Sequence, residues 1–169
     1  LNYFKEIYMN INLEIKFASI NDVPLILHFI KELAQYEKLL DQVVATEENL
    51  RDSLFGNKKY AEVILAHVDN IPAGFALFFH NFSTFLGKPG IYLEDLYVVP
   101  DMRGKGVAKK ILSFLAKLAI DRDCGRLEWS VLDWNKPAID FYKNIGATPM
   151  DEWTVQRVTG QALIDLANK

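Results

Sequence analysis

The chain is poor in the residues that staple, anchor or metallate a protein. One cysteine, Cys124, stands among 169 residues; this excludes an intramolecular disulfide framework and fits a reducing cytosol. The three histidines, His28, His67 and His80, show no ligand spacing with one another or with Cys124, so no metal is expected. No apolar run approaches the ~20 residues needed to cross a bilayer, and the cytoplasm is the expected location. An excess of positive charge is missing too. Lysine and arginine number 19 against 22 acids, a formal charge of −3, so no basic field draws the protein onto nucleic acid. Repeats, low-complexity runs and linkers are also lacking, which leaves no boundary for a second domain.

What is present suits one packed domain. Half the residues are hydrophobic and 24% are charged, a balance typical of a folded chain rather than a disordered one. LNYFKEIY at positions 1–8 is too short and too broken in apolar run for a signal peptide. Met9 precedes the first convincing strand, so residues 1–8 read as a leader or an artificial extension and 9–169 as the domain.

The periodicities give an order of elements. LEIKF at 13–17 alternates as a half-buried strand does, and Asn21 or Asp22 caps an amphipathic helix with Pro24 in its first turn. That helix puts Val23, Ile26, Leu27, Ile30, Leu33 and Ala34 on one face. Thr46 caps a shorter helix, EENLRDSLF, ended by Gly56. EVILAHV and GFALFFHNF flank Asp69-Asn70 as a hairpin. Then follow a strand at 91–99, a helix at 107–121 with Val107, Ile111, Leu115 and Leu118 buried, and a strand at 126–132. A helix opened by Pro137, a strand at 153–158 and a helix at 161–167 complete the chain. The class is mixed α/β with a meander in its middle.

The most informative stretch is IYLEDLYVVPDMRGKGVAKKI at 91–111. Gly104 and Gly106 let backbone N–H groups converge, and the following helix start adds unpartnered N–H groups and a positive dipole end. Such a turn suits a pyrophosphate, and Arg103, Lys105, Lys109 and Lys110 stand around it. A Walker sequence is absent, and a dinucleotide fingerprint needs a small residue where Lys109 stands.

Arg-x-x-Gly-x-Ala after a strand and before a helix resembles the coenzyme A loop of the GNAT acetyltransferase superfamily. IKELAQYE at 30–37, YLEDLYVVPDMRGKGVA at 92–108 and WNKPAIDFYKNIGA at 134–147 narrow the resemblance to the spermidine/spermine (diamine) acetyltransferase family and its bacterial relatives. The resemblance implies a GNAT fold: a twisted, mixed, mostly antiparallel sheet, splayed near 94–98, with helices on both faces. It implies acetyl-coenzyme A as donor, a small cationic amine as acceptor, and a homodimer. The donor contacts it implies are Leu96, Tyr97 and Val98 through their backbone, Arg103, Gly104, Lys105, Gly106, Val107, Ala108 and Lys109 in the turn, and Asn135, Lys136, Pro137 and Ala138. Asn135 reads equally well as a plain helix cap.

An amine must lose a proton before it attacks a thioester, and Glu94 is the carboxylate placed to take it. The adjacent Asp95 faces the other way by strand alternation and is expected to be structural. Tyr142 matches the tyrosine that protonates the leaving thiolate in the family. Tyr36, Glu37 and Glu94 match its acceptor contacts, and Glu152 or its neighbour Asp151 a further one. The chain departs from the polyamine enzymes in FSTFLGKPG, where Ser83 and Phe85 replace an aspartate beside an aromatic. The acceptor is therefore a polyamine, a diamine or a lysine-like amino acid. Direct attack is expected, because no cysteine or serine accompanies a suitable base. Protein or peptide acetylation, a non-catalytic acetyl-coenzyme A-binding module and a dinucleotide-dependent oxidoreductase are the competing readings.

Overall fold

The computed structural model describes residues 12–169, so the expected leader at 1–8 lies outside the described residues. In chain order the elements are β1 (Leu13–Phe17), α1 (Val23–Tyr36), α2 (Glu47–Phe55), β2 (Glu62–Val68), β3 (Ile71–Ser83), β4 (Lys88–Val98), α3 (Val107–Asp121), β5 (Leu127–Trp129), α4 (Lys136–Asn144) and α5 (Gly160–Ala167). The strands form one sheet in the order β1-β2-β3-β4-β5, antiparallel except for the parallel β4–β5 pair. Local chemistry sets most boundaries. Thr46 Oγ1 accepts from Asn49 N–H at 3.2 Å while Asn49 Oδ1 accepts from Thr46 N–H at 3.1 Å, starting α2. Asp69 and Asn70 both take positive φ, 51° and 66°, the geometry of a tight two-residue hairpin between β2 and β3.

The described residues divide into two compact units, one up to Ser130 and one from Val131 to Lys169. The first holds the sheet with α1, α2 and α3. α1 and α2 cover one sheet face, where Val23, Ile26, Phe29, Leu50 and Leu54 pack with Val63, Leu65, Phe75 and Tyr97. Phe29 stacks on Phe75 at 5.6 Å between ring centroids; the helical stripe read from the sequence omits this residue. α3 buries Val107, Ile111, Leu112, Leu115 and Ala119, with Leu118 only half-buried. The result is the expected mixed, largely antiparallel sheet flanked by helices. At its rim Arg122 makes a bidentate pair with Glu62, and this holds the Glu62 carboxyl below the usual carboxylate range.

The second unit carries α4 and α5, and from Thr148 to Lys169 every residue is exposed. The strand expected at 153–158 is not formed. Alternation makes a strand only where a neighbour completes the ladder, and among the described residues none pairs with this segment. β5 is likewise three residues long rather than seven. Among the described residues no helix is long and apolar enough to cross a membrane.

Phe75 is fully buried and Phe85 is 97% exposed. Phe75→Ala is expected to cost about 3–5 kcal/mol of unfolding free energy, and Phe85→Ala to stay within about 0.5 kcal/mol of the parent. Urea unfolding midpoints of the two variants measured side by side check this.

Candidate active site

The sheet opens at one place. β4 pairs with β5 only through Ile91, Tyr92 and Leu93, opposite Leu127, Glu128 and Trp129. From Asp95 to Val98, β4 is laddered to β3 alone. The β3 side is irregular at the same point: Leu77 faces Asp95 and Phe78 faces Leu93, leaving Glu94 as an extra residue on β4. This is a β-bulge, which bends a strand and re-aims its side chains. The strand beyond it presents an edge of backbone N–H and C=O groups, to which an extended, amide-bearing ligand arm can pair.

The bulge sets the face on which Asp95 lies. Strict alternation puts Glu94 and Asp95 on opposite faces, but the extra residue resets the parity. Asp95 lies opposite Leu77, two pairs from the Phe75–Tyr97 pair, and so belongs to the α1 face. There it is half-buried. Burial pushes its carboxyl up to about 6, and the charges of Glu94 and Glu37 push in the same direction. Glu37, which ends α1, is itself pushed up by burial. Glu94 stays exposed. The charges of Glu94, its neighbour on β4, and of Glu37, just past the end of α1 at Tyr36, thus both act on Asp95. Adjacent acids on a strand were visible in the sequence; the inserted residue that changes the parity between Leu93 and Asp95 was not.

The turn follows at once. A single 3-10 turn, Pro100–Met102, leads to Arg103, and Gly106 caps α3, whose first residue is Val107. Gly104 and Gly106 have φ of 74° and 83°, and a Cβ on either would meet nothing within 4 Å. They are glycines for their left-handed backbone rather than for room. Lys105 and Lys109 are exposed beside α3's N-terminus, and Ala108 lies in its first turn. Arg103 behaves differently from these cations. Its Nε donates to the Val98 carbonyl at 3.0 Å, and its guanidinium lies 4.9 Å from the Tyr36 ring centre and 5.6 Å from that of Tyr97. Leu96 is half-buried, Tyr97 and Val98 are buried, and Tyr97 Oη donates to Glu32 Oε2 at 3.2 Å. These side chains pack, leaving the backbone for a ligand. Left-handed glycines, a helix N-terminus and an open strand edge together fit a long ligand carrying a diphosphate and amides.

The remaining candidates lie in the second unit. Asn135 Oδ1 accepts from Ala138 N–H at 3.4 Å and so caps α4, whose first turn carries Lys136, Pro137 and Ala138. Tyr142, half-buried on the same helix, has its ring 5.5 Å from that of Phe141. Asp151 and Glu152 are exposed. Outside both groups, burial pushes the Cys124 thiol up, which makes it a poor nucleophile near neutrality. Among the described residues no three His, Cys, Asp or Glu side chains are arranged to hold a metal.

Asp95 gives a pH signature of definite sign. Its folded-state value of about 6 lies above its ordinary 3.8, so the native state keeps a proton that the unfolded chain releases. Its contribution to stability is complete below pH 3.8 and is lost as pH rises through 6. The full loss is at most roughly 3 kcal/mol, from a shift of about two units. Asp95→Asn is expected to match the parent near pH 4 and to exceed it by about 1–3 kcal/mol at pH 7.5, measured by urea unfolding across that range.

Known proteins place this geometry. Residues 29–147 match the acetyltransferase (GNAT) family. Over 92% of its length the chain is 40% identical to a thialysine N-epsilon-acetyltransferase from Bos taurus, covering 97% of that protein. It is 32% identical to an L-ornithine N5-acetyltransferase from Arabidopsis thaliana, over 88% of this chain and 85% of that one. Among solved structures, an integron cassette protein from V. cholerae superposes with a TM-score of 0.79 at 29% identity, covering 95% of this chain and all of the other. The turn, the opened sheet and these likenesses agree: the chain belongs to the GNAT acetyltransferase family.

Proposed function

We propose that the protein transfers an acetyl group from acetyl-coenzyme A to the side-chain amine of a small cationic amino acid of the lysine or ornithine type. The observation that carries the reading is the parting of β4 from β5 at the Glu94 bulge. It sets carboxylates beside an open strand edge, one short turn from an anion-binding loop. Two relatives support the acceptor class, since by name they act on thialysine and L-ornithine. The polyamine branch has less support. Ser83 is buried at the base of the β3–β4 hairpin, accepting the Leu86 N–H, and Phe85 stands exposed in its loop.

Acetyl-coenzyme A, when bound, supplies the acetyl group as a thioester. Glu94 takes a proton from the alkyl ammonium group, directly or through a water. Tyr36, Glu37, Asp95 and Glu152 attract and orient the cation. Above pH 6 Asp95 is mostly ionised, which adds to that attraction near neutrality. Backbone N–H groups of Leu96 to Val98 stabilise the charge developing on the acetyl oxygen. Tyr142 gives its phenolic proton to the departing thiolate. Residues 104–108 with Lys105 and Lys109 hold the diphosphate, and Asn135 to Ala138 contribute donor contacts from α4. The family match runs from residue 29 in the first unit to 147 in the second.

Thiol release with acetyl-coenzyme A and a panel of thialysine, ornithine, lysine, spermidine and an N-terminal peptide tests the reading. We expect kcat/KM for the amino acids to exceed that for spermidine by about tenfold or more, a difference of one carefully placed polar contact. Glu94→Gln is expected to lower kcat by roughly 10²–10⁴ and Tyr142→Phe by at least about tenfold, with coenzyme affinity within about threefold. Acetylation of the peptide alone, or of nothing, overturns the proposal.

We also infer a homodimer. Trp153, Val155, Leu163, Ile164 and Leu166, the last three on α5, are 54–77% exposed. Contiguous exposed apolar surface of this kind marks association sites. Light scattering should give twice the 19.3-kDa chain mass, and Val155→Asp should return it to the monomer value.

A further inference from the structure

Arg103 occupies an unusual place for a cation beside a phosphate-binding turn. The chain leaves β4 at Val98, makes the Pro100–Met102 turn, and brings Arg103 back to the strand it has just left. There Nε donates to the Val98 carbonyl at 3.0 Å. The guanidinium lies over two tyrosines that belong to different parts of the fold. Tyr97 is buried in β4 and bonded through its hydroxyl to Glu32 of α1. Tyr36 is the last residue of α1, 39% exposed and next to Glu37. One side chain therefore joins the carbonyl at the end of the opened strand, the aromatic core and the acceptor-side end of α1.

We infer that Arg103 is a positioning residue that couples the donor turn to the acceptor side: held by Val98 and stacked on Tyr36 and Tyr97, it passes the ordering of the glycine turn to the end of α1. This rests on the donor reading above. Gly104 and Gly106 make the turn adaptable, and a ligand that fixes the turn must also fix the residue at its entry. Arginine suits the task in a way lysine does not. It offers a planar face for stacking and an Nε–H fixed relative to that face, whereas an ammonium is a point charge without a plane. Whatever ordering donor binding imposes on Tyr36 and Glu37 is spared when the amine binds, and the linkage is reciprocal.

Hydrogen exchange of the whole chain, with and without saturating coenzyme A, tests the inference without needing the acceptor. Saturation in each variant is read from full protection at 104–108. In the parent, coenzyme A should slow exchange across 35–39 by about fivefold or more, the lower range of typical site-to-site coupling. Arg103→Lys and Tyr36→Leu should keep the protection at 104–108 and lose that at 35–39, while Tyr36→Phe, which retains the ring, should keep both. Unchanged exchange at 35–39 in the saturated parent overturns the inference, as does an Arg103→Lys variant that protects 35–39 as the parent does. Failure of coenzyme A to protect 104–108 in the parent overturns the donor reading itself, and the coupling with it.

Discussion

One extra residue in β4 governs the site. A regular ladder would keep Glu94 and Asp95 on opposite faces and continue the strand straight along its neighbours. With Glu94 inserted, β4 changes parity between Leu93 and Asp95, and its pairing to β5 stops at the same point. Everything chemically useful depends on that coincidence. Asp95 turns toward α1, a length of strand edge is left unpaired, and the chain beyond Val98 enters the glycine turn. A bulge costs ladder bonds, and such costs recur at functional sites because a regular sheet has no place to put a substrate.

The same region is where the fold is least comfortable. Asp95 is half-buried and feels the charges of Glu94 and Glu37, with a carboxyl pushed up to about 6. Replacing it by a neutral residue would relieve that repulsion, but would also weaken the field that concentrates a cationic amine. On the proposed reading, a cationic acceptor would compensate that charge directly and so stabilise the arrangement. The aromatic contacts beneath, Phe29 with Phe75 and Tyr97 at 5.6 and 5.9 Å, supply the packing that holds the acids in place.

The sequence carried most of this architecture, for identifiable reasons. α1, α2, α3 and the β2–β3 hairpin have strong periodicity and local caps or turn residues, and their bounds agree closely with the structure. Elements whose existence rests on partners were less legible. The segment 153–158 has strand-like alternation and no ladder, and β5 is cut short where β4 turns away. At the site, Glu94 and the glycines could be read from residue type and order. The orientation of Asp95 could not, because a single inserted residue leaves no mark in composition or period. Nor could the position of Arg103, which depends on Tyr36 being brought against it from more than sixty residues away in the chain.

The meander has a consequence for how the molecule is made. β2 joins β3 through two residues, and β3 joins β4 through the loop at 84–87, so these ladders close at little entropic expense. β5 reaches β4 only after residues 99–126, including all of α3, have found their place. Loop-closure entropy therefore favours the three-stranded meander as the early structure and the β4–β5 contact as a late one. The opening is bounded by a pairing that closes later than the meander, although β1, which reaches β2 across residues 18–61, closes a longer loop still. A chain emerging from the ribosome thus builds the wall that bears Glu94 before the boundary that makes it an opening.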